Sequence, residues 1–346
     1  MERQLQIDFW LRQLYPAATF TLAPASADAS FRRYFRVSFG HDAENAETCI
    51  VMDAPPGRED CRPWMQVQRH LRDAGVNVPE VLAQDLERGF LVISDLGSTP
   101  YLAALLKHSS GNGMREVHAL YAAATDQLIR IQLSNRHDQL PEYGRLPLQK
   151  EMDLFPDWYV AKHLGLELSN AQREVLNQAF ERILAVNLAE PRVFVHRDYH
   201  SRNLMVTDPS GGNSPGVIDF QDAVFGPISY DLVSLFKDAY IEWNEEQTLD
   251  WLIRYWEKAR KAKLPVRADF GEFHRDYDWM GAQRHLKILG IFARLCHRDG
   301  KDGYLKDMPL VAKYLRLTCA RYRELGPLLK LLDQLEDRAE RVGYSF

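Results

Sequence analysis

The chain has 346 residues, of which 46% are hydrophobic and 26% are charged, and its formal net charge at pH 7 is −5. This length favours two lobes or domains over a single core, and the negative charge argues against a polycationic nucleic-acid-binding protein. The four cysteines are scattered, so we expect neither a CxxC zinc site nor a disulfide framework. The first residues are polar and no apolar run is long enough to span a bilayer, so we expect neither a signal peptide nor a membrane anchor. These features together predict a protein of the reducing cytoplasm.

The first part of the chain is predicted to be a small, β-rich domain. A short helix is expected to end at Pro16, and a second helix, over residues 64–74, is closed by Gly75. Apolar and alternating runs predict strands over residues 19–22, 31–39, 48–52, 81–83 and 90–93. The sequence Ser94-Asp95-Leu96-Gly97 then breaks this pattern, so we expect residues 1–95 to form one domain and residues 96–346 the other.

From Tyr101 onward the chain is predicted to be nearly all helical. Helical patterns cover residues 114–133, 154–164, 171–188, 230–243, 249–262, 279–295, 309–325 and 327–341. Short apolar runs that are typical of buried strands interrupt them at residues 193–195, 204–206 and 217–218. Between the last two runs lies a turn rich in Asp, Pro, Ser, Gly and Asn.

Polar side chains follow these short strands. Asp198 comes after the first strand, Asn203 precedes the second, and Asp219 stands at the end of the third. Two carboxylates and an amide at strand ends can converge, and phosphoryl transfer from ATP requires such a set. One carboxylate orients the acceptor hydroxyl, while a carboxylate and an amide hold Mg²⁺ on the phosphates. We therefore predict that Asp198 is the catalytic base and that Asn203 and Asp219 are the metal ligands.

The pattern His196-x-Asp198-x-x-x-x-Asn203 matches the kinase catalytic loop, and Asp219-Phe220 stands where the metal-binding Asp-Phe-Gly would be, although the third residue is Gln221. In these residues the chain resembles the aminoglycoside phosphotransferase family of protein-kinase-like small-molecule kinases. The resemblance implies an α+β, bilobal protein-kinase-like fold, with a small β-rich N-lobe that binds the nucleotide and a larger, mainly helical C-lobe. It also implies ATP and Mg²⁺ as cofactors.

The resemblance assigns further roles by position. The loop over the phosphates and the segment that joins the lobes supply the predicted nucleotide-binding residues Ser30, Arg32, Arg33, Asp95 and Leu96. The predicted acceptor-binding residues are Asp153, Gln221, Asp222 and Arg284. His196 is expected to brace the catalytic loop and Asp231 to anchor it. The alternative for the phosphate loop is a plain hairpin with solvated arginines. The alternative for the acceptor-binding residues is that they lie on solvated helix faces.

One feature of kinase-like folds is missing. Such folds carry a basic residue on the third strand, paired with a glutamate of the following helix. Here the strand ends in Met52-Asp53, and the helical segment 62–74 contains no glutamate. Arg32 and Arg33 begin the neighbouring strand, and alternation sends their side chains to opposite faces. We expect the inward arginine to replace the lysine, with Asp53 orienting it.

Within the family, the segments 29–37, 51–56, 94–97 and 283–295 resemble the bacterial sugar kinases of cell-wall recycling. The resemblance covers nearly the whole chain. It implies phosphorylation of the anomeric (C1) hydroxyl of N-acetylmuramate and N-acetylglucosamine. A sugar-1-phosphate nucleotidyltransferase that makes UDP-sugars would be the functional partner, with no nucleic-acid or membrane partner.

Two alternatives stay open. An aminoglycoside kinase, or another small-alcohol phosphotransferase, would need a carboxylate cluster for its polycationic acceptor, and candidates are Glu242, Glu245, Glu246, Asp250, Glu272, Asp276 and Asp278. A non-catalytic kinase-like ATP-binding module or a protein kinase is the other alternative. The intact Asp198, Asn203 and Asp219 argue against the module, and the lack of an Ala-Pro-Glu segment after Asp219 argues against the protein kinase.

Overall fold

The computed structural model describes residues 2–26, 31–40, 47–109, 113–134, 138–207 and 215–343, with the backbone alone from 338 onward. The chain divides into two compact units. The first consists of Met1–Pro100 with Leu204–Gln221, and the second of Tyr101–Asn203 with Asp222–Phe346. The first break lies close to the boundary predicted after residue 95. The segment Leu204–Gln221, however, belongs to the N-terminal unit and not to a domain covering 96–346.

The first unit is built on a twisted antiparallel sheet and two helices. Its elements are α1 (Glu2–Leu14), β1 (Phe20–Ser26), β2 (Arg33–Phe39), β3 (Thr48–Asp53), α2 (Cys61–Asp73), β4 (Val81–Asp85) and β5 (Phe90–Ser94). In the described residues the strand order is β1-β2-β3-β5-β4, and each neighbouring pair is antiparallel. β1 continues past the predicted end at residue 22, because an edge strand tolerates Pro24.

One face of this sheet packs against α1. The core there is formed by Ile7, Trp10, Leu11, Phe35, Val37, Cys49, Val51, Phe90 and Val92. Because successive side chains of a strand point to opposite faces, Tyr34 and Arg36 lie on the other face of β2. At the start of α2, the side chain of Asp60 accepts a hydrogen bond from the backbone N–H of Arg62 and caps the helix.

A second, short strand pair explains why the first unit is discontinuous in sequence. β7 (Leu204–Met205) pairs with β8 (Gly216–Val217). The N–H of Val206 donates to the carbonyl of Thr99 at 2.8 Å, and that of Val217 to the carbonyl of Asn77 at 2.7 Å. At Gly216 a Cβ atom would lie 2.9 Å from Cδ1 of Leu96, so a larger residue there would require the Leu96 side chain to move.

The second unit is mainly helical. Its α-helices are α3 (Tyr101–His108), α4 (Met114–Leu133), α5 (Arg145–Met152), α6 (Asn170–Asn187), α7 (Tyr230–Phe236), α8 (Glu245–Lys261), α9 (Phe270–Asp299), α10 (Met308–Arg321) and α11 (Gly326–Gly343). A π-helix covers Phe155–His163, and 3₁₀-helices cover Asp302–Asp307 and Arg323–Leu325. β6 (Arg192–Val195) and β9 (Val224–Pro227) form an antiparallel pair.

The helix α9 is the buried centre of this unit. Most of its residues between Asp276 and Ala293 are buried. At Gly290 a Cβ atom would lie 2.4 Å from the carbonyl carbon of Leu154, so the glycine lets the segment before the π-helix approach α9 closely. The packing positions the residues that precede the π-helix, including Glu151, relative to the middle of α9.

Several elements of this unit differ from the predictions. The helix predicted over 230–243 ends at Phe236, and Asp238, just beyond it, accepts a hydrogen bond from the N–H of Ser201 at 3.0 Å. A tertiary contact therefore replaces helical structure there. The helix predicted over 279–295 begins earlier, at Phe270, where Asp269 caps it. No strand is predicted at β9, because its glycine and proline are typical of turns.

Candidate active site

The loop over residues 196–203, which follows β6, is tied to the body of the second unit. The carboxylate of Asp231 accepts hydrogen bonds from the N–H groups of His196 at 2.7 Å and Arg197 at 3.0 Å. Arg197 has a φ of 76°, a left-handed conformation that is uncommon for a non-glycine residue. Such conformations persist where the surroundings enforce them, and they are frequent at functional sites. The sequence predicts these bracing positions for His196 and Asp231.

Within the loop, Asp198 and Asn203 are connected directly. The Nδ2 of Asn203 donates to the carbonyl oxygen of Asp198 at 3.0 Å, and the N–H of Asp198 donates to Nδ1 of His196 at 3.3 Å. The turn is closed by the N–H of Asn203, which donates to the carbonyl of His200 at 2.9 Å. The side chain of Asp198 is 39% exposed, so a ligand can reach it.

Two cations from α9 set the electrostatics of Asp198. Nη2 of Arg284 lies 3.8 Å from Oδ1 of Asp198, while Nη1 donates to the carbonyl of Arg197 at 2.8 Å. Burial would raise the pKa of Asp198, but the charges of Lys287 and Arg284 outweigh it and lower that pKa to about 2. Asp198 is therefore ionised at neutral pH.

Glu151 balances these cations from the end of α5. Its carboxylate accepts from Nη2 of Arg197 at 2.6 Å, from Nζ of Lys287 at 3.0 Å and from Nε2 of Gln283 at 3.2 Å. The hydroxyl of Tyr143 also donates to it. Burial would raise the pKa of Glu151, but Lys287 and Arg197 outweigh it and lower that pKa to about 2. The network fixes the loop to α5 and α9.

The predicted acceptor-binding residues do not form one cluster within either unit. Arg284 is buried, with 5% of its side chain exposed, and contacts the loop itself. Asp153 follows α5 and accepts from Nε2 of Gln149 at 2.7 Å. Asp222 is exposed in the second unit, while Gln221 ends the segment that belongs to the first. Their assignment to the acceptor stays a prediction.

The first unit carries Asp219, at the end of β8. Its φ of 64° is left-handed, a conformation that aspartate tolerates better than most residues. Phe220 is buried and packs against Trp64 of α2, with ring centroids 5.0 Å apart. Gln221, which replaces the glycine of the kinase motif, donates from Nε2 to Oδ1 of Asp219 at 2.6 Å. The carboxylate thus lies on a constrained backbone, is held by the Gln221 hydrogen bond, and is followed by a residue packed against α2.

Hard oxygen ligands are what Mg²⁺ prefers, and both predicted metal residues supply them. Asp219 offers a carboxylate, which accepts a hydrogen bond from Gln221. Asn203 offers an amide oxygen, and its amide nitrogen donates to the carbonyl of Asp198. The donor types therefore fit Mg²⁺, with the remaining ligands expected from phosphate and water.

The segment after β5 is held by an arginine of β2. Nε of Arg36 donates to Oδ2 of Asp95 at 2.6 Å, and Nη2 donates to the carbonyl of Gly97 at 2.9 Å. Oδ1 of Asp95 also accepts from the N–H of Gly97 at 2.9 Å. The side chain of Asp95 is thus used within the segment, and Leu96 packs beside Gly216.

The two arginines of the predicted phosphate loop have different carboxylate partners. Arg33, 48% exposed, donates from Nε to the buried Asp53 at 3.0 Å, and Arg3 donates to the same carboxylate at 2.8 Å. Arg32, only 12% exposed, lies 3.3 Å from Oε2 of Glu59. The expectation that Asp53 orients the inward arginine is therefore wrong: Asp53 holds the exposed Arg33, on the α1 face. Ser30 lies outside the described residues.

Sequence reasoning missed Glu59, and it also missed the role of Glu151 in bracing the loop over residues 196–203. Glu59 precedes the segment 62–74 in which a glutamate was sought, and stands beside the helix cap Asp60. Its position within one turn of Arg62 is the sequence signal that identifies it. Glu151 lies in a polar stretch after a long helix, and only long-range contacts distinguish it from a solvated carboxylate.

In the part of the chain that the structure describes, no helix is both long enough and apolar enough to cross a membrane.

The sequence profile of the phosphotransferase enzyme family matches residues 21–270. A protein of Neisseria meningitidis serogroup B is 48% identical over 347 residues, which covers 100% of both chains. A protein of Pseudomonas aeruginosa is 48% identical over 319 residues, or 92% of this chain and 90% of that one. Both relatives bear the name N-acetylmuramate/N-acetylglucosamine kinase.

Solved structures show a similar fold. An ADP-bound aminoglycoside phosphotransferase aligns with a TM-score of 0.58 and 16% identity, covering 90% of this chain and 96% of its own. A choline kinase from Streptococcus pneumoniae aligns with a TM-score of 0.59 and 16% identity, covering 92% of this chain and 100% of its own. The predicted α+β kinase-like fold, with an N-terminal sheet and a mainly helical C-terminal part, is confirmed.

Proposed function

Since the chain belongs to the phosphotransferase enzyme family, we propose that it is an ATP-dependent kinase that phosphorylates the anomeric C1 hydroxyl of N-acetylmuramate and N-acetylglucosamine. The observation that carries the choice of acceptor is the 48% identity over the full length of a relative with that name. The resemblance first seen in the 196–203 and 219–221 motifs supports the same reaction class.

In this proposal Asp198 is the catalytic base. A carboxylate with a pKa of about 2 is a weak base, so it serves mainly to accept a hydrogen bond from the acceptor hydroxyl and to take its proton late in the reaction. An anomeric hydroxyl is more acidic than an ordinary alcohol, because the ring oxygen withdraws electron density. A weak base is therefore adequate for this acceptor. Glu151, Arg284 and Lys287 act as positioning residues that hold the loop, and the positive charges of Lys287 and Arg284 keep Asp198 ionised.

Asn203 and Asp219 are the proposed Mg²⁺ ligands. When bound with ATP, Mg²⁺ would neutralise charge on the phosphates. The protein's part is to present one carboxylate and one amide oxygen on restrained backbones. Asp95 and Leu96 are proposed to flank the adenine, for which the backbone after β5 would supply the hydrogen bonds.

Arg32 is the proposed replacement for the strand-three lysine, with Glu59 in the place of its helix glutamate. We expect Arg32→Met to raise the KM for ATP roughly tenfold or more, the scale of one charge-assisted hydrogen bond of about 1.5–3 kcal/mol. Arg33→Met is the matched control, because Arg33 is on the α1 face and Arg3 still pairs with Asp53 in its absence. Equal KM values in both variants and in the wild type would exclude Arg32 from phosphate binding.

The acceptor position is tested with blocked sugars. We expect 1-O-methyl glycosides of both amino sugars to be inert, because their C1 oxygen has no proton to give. Phosphorus NMR of the products from a panel of reducing sugars identifies the phosphorylated carbon. Phosphorylation of a methyl glycoside at the rate of the free sugar would replace the anomeric proposal with a C4 or C6 kinase.

An aminoglycoside acceptor is disfavoured by the state of the acidic residues proposed for it. The carboxylates that already lie in ion pairs with lysine or arginine are Glu242, Glu245, Asp250, Asp276 and Asp278. A polycationic acceptor would have to displace those partners. An antibiotic resistance assay separates the two acceptor classes.

The proposed reaction also suggests a place in metabolism. Because ATP is the proposed donor, we place the enzyme in the cytoplasm, in peptidoglycan recycling. The sugar-1-phosphate product is the substrate class of a nucleotidyltransferase that makes UDP-sugars. That enzyme is the proposed functional partner.

A further inference from the structure

Arg202 lies in the 196–203 loop, directly before the proposed metal ligand Asn203. The carbon of its guanidinium group is 3.5 Å from the centroid of the Tyr240 ring and 5.9 Å from that of Tyr304. Its side chain is 37% exposed. The group is therefore stacked on an aromatic face and accessible to a ligand.

Arg202 differs from the other cations around this loop. Arg197, Arg284 and Lys287 each donate to Glu151, Tyr230 or a loop carbonyl. The nearest carboxylate to Arg202 is that of Asp307, at 3.9 Å, which is too far for a hydrogen bond. Over the described residues, none of its N–H groups makes a hydrogen bond. A guanidinium that stacks on a ring presents its N–H donors at its edge, a geometry suited to binding a carboxylate with two hydrogen bonds.

Neighbouring groups also have unused polar atoms. The ring of His200 is 5.5 Å from that of Tyr240. Nδ1 of His200 and Oδ2 of Asp307 are buried and have no hydrogen-bond partner among the residues that the structure describes. The N–H of His200 donates to the carbonyl of Asp198 at 3.0 Å, so this cluster belongs to the same turn as the proposed base. Aromatic faces with a few unpaired polar groups are typical of small-molecule sites.

We propose that Arg202 binds the lactyl carboxylate of N-acetylmuramate and so distinguishes it from N-acetylglucosamine. The two sugars differ at C3, where the first carries a lactyl ether ending in a carboxylate and the second a hydroxyl. This inference rests on the proposed function, which names both sugars as acceptors. Arg202 lies on the loop that carries Asp198, and its stacked, accessible guanidinium has unused N–H donors. It is therefore suited to bind the lactyl carboxylate, the group by which the two acceptors differ.

The test compares kcat/KM for the two sugars in the wild type and in Arg202→Met. We expect the ratio of N-acetylmuramate to N-acetylglucosamine to fall roughly tenfold or more, since the variant loses a charge-assisted pair with only one of them. Arg254→Met is the control, because Arg254 is exposed on α8 and pairs there with Asp250. Its ratio should equal that of the wild type.

A second measurement needs no variant. The methyl ester of the lactyl group removes the charge, and the wild type should use the ester roughly tenfold less efficiently than the free acid, whereas Arg202→Met should treat them alike. A wild type that phosphorylates neither sugar would refute the proposed function. Three results would refute only the role of Arg202, provided that the wild type phosphorylates both sugars. Arg202→Met could have the wild-type ratio of kcat/KM, or it could lose the same factor of kcat/KM for both sugars. The wild type could also use the methyl ester as efficiently as the free acid.

Discussion

Asp198→Asn is expected to lower kcat by about 10²–10⁴-fold, the usual contribution of a general base. Asparagine keeps the shape of the side chain, but it cannot take the proton of the acceptor hydroxyl. The affinity for Mg·ADP should stay within a few-fold of the wild type, because the proposed metal ligands are unchanged. The substitution also removes a negative charge 3.8 Å from Arg284, so the melting temperature is measured alongside the kinetics.

The measurement is single-turnover kinetics at saturating ATP and sugar, with calorimetry for Mg·ADP. Asp337→Asn is a matched control, since Asp337 is exposed on α11 and lies in none of the predicted binding or catalytic sets. Near-normal turnover in a folded Asp198→Asn protein would remove Asp198 from the mechanism. A loss of folding instead of turnover would identify it as an anion that neutralises Arg284 and Lys287.

Asp219→Ala is expected to abolish Mg²⁺-dependent nucleotide binding. A carboxylate is the principal protein anchor for Mg²⁺ in such sites. Its loss should exceed the roughly 10–100-fold that removal of an outer-sphere partner costs. Alanine at a φ of 64° also adds a backbone cost of about 1–2 kcal/mol, so Asp219→Asn is the better-matched variant, because asparagine tolerates this conformation.

Calorimetric titration with ADP, with and without Mg²⁺, separates the loss of the metal ligand from the backbone cost of the substitution. We expect both variants to bind ADP equally with and without the metal, while the wild type binds more tightly with it. If both Asp219→Ala and Asp219→Asn retained the full Mg²⁺ enhancement, Asp219 would have a structural role only, fixing the turn before Phe220 and Gln221.

The features that could be predicted from the sequence are local. The strands that flank Asp198 and Asp219 follow from short apolar runs, and the spacing of Asp198 and Asn203 is contained within one turn. The role of Glu151 could not be predicted, because its partners Arg197 and Lys287 are distant in sequence. Burial and charge compensation, which depend on tertiary packing, distinguish it from an exposed carboxylate.

The phosphate loop shows the same limit in another form. Alternation correctly indicates that Arg32 and Arg33 have different surroundings, but it does not identify their partners. Asp53 is adjacent to Arg33 through the pairing of β2 with β3, whereas Glu59 reaches Arg32 from the residues before α2. The Arg33–Asp53 contact follows from the register of β2 and β3. The Arg32–Glu59 contact depends on where the chain runs just before α2 begins.

The discontinuity of the first unit has a consequence for how the protein is made. Val206, directly after β7, and Val217 of β8 donate hydrogen bonds to the carbonyls of Thr99 and Asn77, yet they follow more than a hundred intervening residues of the second unit. A ribosome that adds roughly 5–20 residues per second would leave Asn77 and Thr99 without these partners for on the order of ten seconds. The N-terminal unit therefore completes its folding only after much of the helical unit has emerged, and a fragment ending at Pro100 would leave the carbonyls of Asn77 and Thr99 without these hydrogen bonds.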